Sequence, residues 1–187
     1  RPPRSTLFPY TTLFRSEDLF FLQIQGSGTL VMPDGRRLKA AYAAHNSRPF
    51  IGIAAPMREL GLLADANTSG EAIRSWLAEN RGDRADGIMR LNPRYVFFTL
   101  GPDDGKDPAG AANLPLPAGH AIAIDQAFHR MGQAYWIDAA APVLNGAFPT
   151  YRRLVMALDT GGAIKGEVRA DLYLGRGPAA GVEAGRV

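Results

Sequence analysis

The segment LVMALDTGGAIKGEVRADLYLG, Leu154 to Gly175, limits the fold more than any other part of the chain. An apolar run ends at Asp159, a turn holding Gly161 and Gly162 follows, and the chain returns as an alternating run that carries a second aspartate, Asp171. Side chains that alternate one by one between apolar and polar belong to a strand whose two faces see different surroundings. Val168, Ala170, Leu172 and Leu174 then share an apolar face, and Arg169, Asp171 and Tyr173 share the other. Three more short runs, HAIAIDQ, QAYWIDA and RRLVMAL, are separated from one another by turn-forming residues. That spacing predicts a small β-barrel rather than alternating β and α units.

Upstream, Phe20–Ile24, Gly28–Met32 and Arg37–Ala43 read as three strands, divided by a Gly-Ser-Gly break and a Pro-Asp-Gly turn. MRELGLL supplies one or two helical turns. TSGEAIRSWLAEN places Ala72, Ile73, Trp76 and Leu77 at helical spacing, with Thr68 or Ser69 as the cap. IMRLNPRYVFFTL returns to strand, Tyr95–Leu100 being the strand proper, and the Gly-, Pro- and Asp-rich stretch from Gly101 to Gly119 marks a domain boundary. Residues 1–16 differ in composition, nearly repeat TLFPY as TTLFR, and resemble translated sequencing-adapter sequence. They are expected to be non-native and are set aside, a native arm being the alternative.

With 46% hydrophobic and 21% charged residues the chain has the composition of an ordered globular protein. Its net charge of +3 comes without a dense Lys/Arg run and argues only weakly for an anionic partner; nucleic acid needs a denser patch, and polyanionic cell-wall material would suit equally well. The absence of cysteine removes disulfides, thiol catalysis and Cys-ligated zinc, and His45, His120 and His129 lack metal-ligand spacing. Neither a metal nor a cofactor is expected. No apolar run approaches the length of a membrane span.

As chemistry, Asp171 between Arg169 and Tyr173 can line a groove, where partial burial would raise its pKa and the cation would lower it. Asp159, at a strand end before the glycine turn, is placed to accept N–H bonds from that turn and fix the loop. Asp125, at the end of AIAID, can do similar work. Lys165 reads either as a groove cation or as an exposed loop lysine. Asp-Thr-Gly after an apolar run is the aspartic-protease signature, but that chemistry needs two aspartates sharing one proton, and Asp159-Thr160-Gly161 occurs once. GGAIKG lacks the terminal Gly-Lys-Ser/Thr of a phosphate loop and leads into a strand rather than a helix.

DTGGAIKGEVRADLYLGRGPAAGVEAGR resembles the C-terminal motif of the membrane-bound lytic murein transglycosylase A family, within its three-aspartate domain. FFLQIQGSGTL, YAAHNSRPF, TSGEAIRSWLAEN and LNPRYVFF resemble other segments of that family, in order, so the likeness runs from Glu17 to Val187. The resemblance implies a mainly β fold: part of a double-psi β-barrel over 101–187, and over 17–100 an inserted smaller β-domain carrying a short helix, with a glycan groove between them. It also implies that the first part of the barrel and a closing strand lie outside the chain, which then reads as a fragment.

The family's reaction cleaves the β-1,4 bond between N-acetylmuramic acid and N-acetylglucosamine without water, leaving a 1,6-anhydro ring. The nucleophile is the substrate's own C6 hydroxyl, so one aspartate can serve as acid and then base, where an ordinary glycosidase needs two carboxylates. By resemblance that aspartate is Asp171, with Asp159 and Asp125 as its supporting aspartates. Gly161, Gly162, Lys165, Arg169 and Tyr173 are candidate glycan contacts. So are Gln25, Gly26, Ser27 and Gly28, which read equally as a sugar-groove loop or a tight structural turn. The expected partner is a peptidoglycan strand, the expected state a monomer. The expected location is the periplasm, at the outer membrane through a lipid anchor outside the chain. A glycan-binding barrel without turnover is the rival reading.

Overall fold

The computed structural model describes residues 14–64, 67–140 and 150–184. Most of the adapter-like segment, residues 1–13, lies outside them, as does the end of the family-like C-terminal motif. The chain divides into two compact units, residues 1–103 and 104–187.

The first unit opens on a helix, α1 (Ser16–Gln25), where a strand was expected over Phe20–Ile24. A short apolar run does not distinguish the two by itself. The deciding residues flank it: Glu17 and Asp18 favour a helix N-terminus electrostatically, and Gly26, at φ 78°, stops the helix in the left-handed conformation glycine adopts without strain. The Gly26 N–H closes the last turn on the Leu22 carbonyl at 2.9 Å. Gln25, Gly26, Ser27 and Gly28 therefore form a corner from helix to strand, Ser27 and Gly28 already belonging to β1 (Ser27–Val31).

β1 pairs antiparallel with β2 (Arg37–His45) across the expected Pro-Asp-Gly turn, in which Gly35 has φ 81° and Asp34 Oδ1 accepts from the Arg36 N–H at 3.0 Å. β3 (Val96–Pro102) completes the sheet in the order β1-β2-β3. Between β2 and β3 come α2 (Ala54–Glu59), α3 (Gly70–Glu79) and α4 (Asp83–Met89). The inserted unit is thus not a β-domain with one short helix. Four of its elements are helices, and Phe20, Met57, Ile73, Leu77, Ala85 and Ile88 from them form its main core. α4 escaped sequence reading because DRADGIM shows only Ala85 and Ile88 to the core and carries a helix-weakening glycine.

α3 forms where its periodicity places it, with Ile73 and Leu77 buried and Ser69 as the cap, its Oγ accepting from the Ala72 N–H at 3.2 Å. Ser69→Ala is expected to cost about 1 kcal/mol, measured by denaturant unfolding. Glu17 is buried and paired with Arg81 in the turn between α3 and α4, and the guanidinium holds its carboxyl below the usual carboxylate range.

The second unit is organised on β4 (Ala121–Ile124), β5 (Ala134–Ala140), β6 (Thr150–Thr160) and β7 (Ala170–Leu172), in the order β5-β6-β4-β7. All four expected strands are present. β4 and β6 run parallel, and the other pairs are antiparallel. A short helix, α5 (Pro178–Ala184), follows and was not foreseen. Each unit carries a sheet and the described strands outnumber the described helices, so the chain is mainly β.

Each face of the β4–β6 pair has its own apolar cluster. Ile122, Ile124, Val155 and Ala157 pack on one face with Leu172, Tyr135 and Ile137. Ala121, Leu158 and Leu116 pack together with Met156, Tyr173 and Ala112. On β6 this assigns odd-numbered residues to one face and even-numbered to the other, up to a single irregularity described next.

Candidate functional site

Ala121, Ile122, Ala123 and Ile124 of β4 pair with Met156, Ala157, Asp159 and Thr160 of β6, skipping Leu158. This β-bulge is what makes the site. Under strict alternation Asp159 would follow Val155 and Ala157 onto the apolar face, and the extra residue rolls it onto the other. Ala123 also pairs with Asp171 of β7, so Asp159, Ala123 and Asp171 stand in one row across three strands. Two interstrand spacings put the two aspartate Cα atoms about 10 Å apart. Both carboxylates line a pocket of about 200 Å³, bounded also by Ala123, Leu116, Ile164 and Tyr173. At that separation they do not share a proton, so the aspartic-protease arrangement is absent.

The alternation expected after the glycine turn is seen at Asp171 to Tyr173: Leu172 packs against the core and borders the pocket that Asp171 and Tyr173 line, while Ala170, expected on the apolar face, is exposed. It fails at Val168, which lies before β7 and is fully exposed. Arg169 grips Asp171 at both oxygens, Nε to Oδ1 at 3.1 Å and a terminal nitrogen to Oδ2 at 3.2 Å. Tyr173 is half-buried, and its hydroxyl donates to Asp107 Oδ1 at 3.0 Å. Burial, then the neighbouring carboxylate, pushes its phenol pKa up, so it stays a neutral donor.

Of the two supporting aspartates, Asp125 caps its own strand-to-turn junction as expected and Asp159 does not do the work expected of it. Asp159 does not bind the glycine turn; its Oδ1 accepts from the Ala111 N–H at 3.0 Å. Asp125, 6% exposed, holds that loop instead, Oδ2 accepting from the Gly166 N–H at 2.9 Å and Oδ1 from the Ala127 N–H at 3.1 Å. These two bonds hold its carboxyl below the usual carboxylate range. Lys165, 3.7 Å from Asp125 Oδ1 and largely exposed, adds to this, so it is an ion-pair partner as well as a loop lysine. The same loop is tied a second time where His129 Nε2 meets the Glu167 carbonyl at 2.6 Å, with Tyr135 on the other ring nitrogen at 3.0 Å.

Gly161 closes the turn after β6, its carbonyl accepting from the Ile164 N–H at 3.1 Å and its Cα position leaving the Ile164 side chain only 3.0 Å from where a Cβ would sit. Gly162 is exposed in that turn. Gln25 to Gly28 belong to the other unit. Sequence reading missed the residues around Ala111, whose contribution is a backbone N–H and leaves no side-chain signal. Among the described residues no group of three or more His, Asp or Glu is placed to hold a metal ion.

Residues 13–99 match the family described as MltA specific insert domain and residues 120–187 the 3D domain. The chain is 35% identical over 175 residues to membrane-bound lytic murein transglycosylase A of Vibrio cholerae, covering 90% of this chain and 46% of that one. To the Escherichia coli K12 protein of that name it is 34% identical over 173 residues, with the same coverage. It spans about half the length of these relatives. Among solved structures it resembles a membrane-bound lytic murein transglycosylase from Agrobacterium tumefaciens, with TM-score 0.81 and 38% identity over 91% of this chain and 46% of that chain. It also resembles E. coli MltA with bound chitohexaose, with TM-score 0.78 and 30% identity over 89% and 50%.

Proposed function

This chain belongs to the MltA family, carrying its insert and 3D domains, and from that premise we propose that the protein is a peptidoglycan lytic transglycosylase with Asp171 as its single acid and base. The observation that carries the proposal is the row Asp159, Ala123, Asp171, which sets two carboxylates along one pocket at a separation too wide for a shared proton. In the first step Asp171 gives its proton to the glycosidic oxygen as the bond from the muramic C1 breaks. In the second, the carboxylate takes the proton of the C6 hydroxyl as that oxygen closes on C1, so the acid is restored and no water enters. Tyr173 supplies a hydroxyl at the pocket wall, and Asp159 one carboxylate oxygen for orienting a sugar hydroxyl. Asp125 keeps the loop of Gly161, Gly162 and Lys165 in place. The relative crystallised with chitohexaose supports a glycan strand as the ligand. Gln25 to Gly28 are proposed as further glycan contacts.

In the same reading the second unit is part of a double-psi barrel, and the protein acts as a monomer in the periplasm, anchored at the outer membrane. The relatives' names include the words membrane-bound, and among the described residues no helix is long and apolar enough to cross a membrane. One observation favours glycan binding without turnover: Arg169 occupies both oxygens of Asp171, so donation requires that one of them be released. Incubation with purified peptidoglycan and mass spectrometry separates the readings. Products lighter by one water than the hydrolytic muropeptides are expected; hydrolytic products, or binding with no products, would overturn the assignment.

A further inference from the structure

Residues 106–116 read in the sequence as part of a linker rich in Gly, Pro and Asp, yet in the structure they are fastened to the site from end to end. Lys106 accepts from Arg176 at its carbonyl, 2.7 Å, and Asp107 accepts from the Tyr173 hydroxyl, 3.0 Å. The Ala111 N–H reaches Asp159 Oδ1, and the Ala112 N–H reaches the Leu158 carbonyl, each at 3.0 Å. The segment also closes on itself, Gly110 N–H to the Leu114 carbonyl at 3.0 Å and Leu116 N–H to the Pro108 carbonyl at 2.9 Å. Ala112 and Leu116 pack with Ala121, Leu158 and Tyr173. Its docking point is therefore the bulge that turns Asp159 into the pocket.

Gly110 permits that approach. A Cβ there would overlap the Leu158 carbonyl oxygen and lie 2.6 Å from a Leu116 methyl. The first obstacle is backbone and cannot rotate away, so any larger residue must push the segment off β6. Ala111 would move with it. Asp159 would then lose the Ala111 N–H that fixes its carboxylate.

We infer that residues 106–116 form a positioning loop of the reaction site, in which Gly110 lets the Ala111 N–H orient Asp159. This rests on the pocket being the reaction site. Asp159 has one oxygen fixed by the loop and the other available to a bound sugar hydroxyl, and an orientation error there would appear in turnover more than in binding.

The test uses the full chain and the variants Gly110→Ala, Asp159→Ala and the double variant, read by amide exchange at Ala111 and Ala112 and by kcat and KM on soluble glycan oligomers cut from peptidoglycan. Asp159→Ala is expected to speed exchange at Ala111 by about tenfold or more while Ala112 stays protected, and Gly110→Ala to release both. Gly110→Ala should lower kcat by about tenfold with KM within about twofold, and should lower it no further in the Asp159→Ala background. Multiplicative losses in the double variant would show a merely structural loop and overturn the inference, as would unchanged exchange at Ala111 in both single variants. If the unaltered protein turns over no glycan, the proposed function falls, and the exchange measurements alone decide whether the loop fixes Asp159.

Discussion

Asp171→Asn is expected to reduce release of anhydro-muropeptides by about 10²–10⁴-fold, the range that a positioned general acid and base contributes. Asparagine keeps the shape and one acceptor oxygen but has no proton to give at the glycosidic oxygen and no carboxylate to take one from the C6 hydroxyl. The variant should fold normally. Asp171 is half exposed, and its polar partner is Arg169 on the same stretch of chain. An exposed ion pair of this kind contributes little to stability. Circular dichroism melting should therefore superimpose on the unaltered protein while the product ions vanish from the mass spectrum. Retained activity in a well-folded Asp171→Asn would remove Asp171 from the mechanism, because no other carboxylate in the row then replaces it without contradicting the roles assigned to Asp159.

Asp125→Ala is expected to have the largest effect on stability among the three aspartates, lowering the melting temperature by on the order of 5–10 °C. The substitution leaves the Gly166 and Ala127 N–H groups without their acceptor and removes the anion facing Lys165. The same contact predicts a pH dependence. Because the folded protein holds the Asp125 carboxyl below its ordinary value of 3.8, the stabilisation is fully present above that value. It is lost as pH falls through the lower folded-state pKa. The variant should accordingly show a flatter melting temperature against pH in the acid range below about 4. If Asp125→Ala and the unaltered protein lose stability in parallel as acid is added, Asp125 is not the clamp described.

What the sequence disclosed follows from which physics is local. The alternation from Asp171 to Tyr173 marks Asp171 as pocket-facing because a strand turns side chains over with period two, and the chain obeys that rule from Asp171 on. The helix at α3 is legible from Ile73, Trp76 and Leu77 and the Ser69 cap. Val168 misled because alternation was extended past the residue where pairing begins. α1 misled because Phe20 to Ile24 is apolar enough for either element, and the acids before it and the glycine after it were the informative residues. Of the tasks of Asp125 and Asp159 only the local one was legible, Asp125 accepting from the Ala127 N–H two residues on. Their long-range partners, Gly166 for Asp125 and Ala111 for Asp159, stand 41 and 48 residues away, and each offers only a main-chain N–H. Any residue but proline presents that group, so no pattern of side chains announces it.

The bulge at Leu158 has a bearing on how this strand tolerates change. β6 carries two registers of meaning, one before the slip and one after it, joined at a single residue. Substitutions at Val155 or Ala157 address the packing of the sheet, and those at Asp159 address the pocket, so the two can vary independently. A one-residue shortening between them is absorbed at the bulge. Removing Leu158 would abolish the bulge yet leave Asp159 opposite Ala123, because the observed pairing already passes over that residue and the carboxylate would stay on the pocket face in a regular ladder. In this strand the face Asp159 presents is set by its pairing with Ala123, and Leu158 is the residue the ladder can spare.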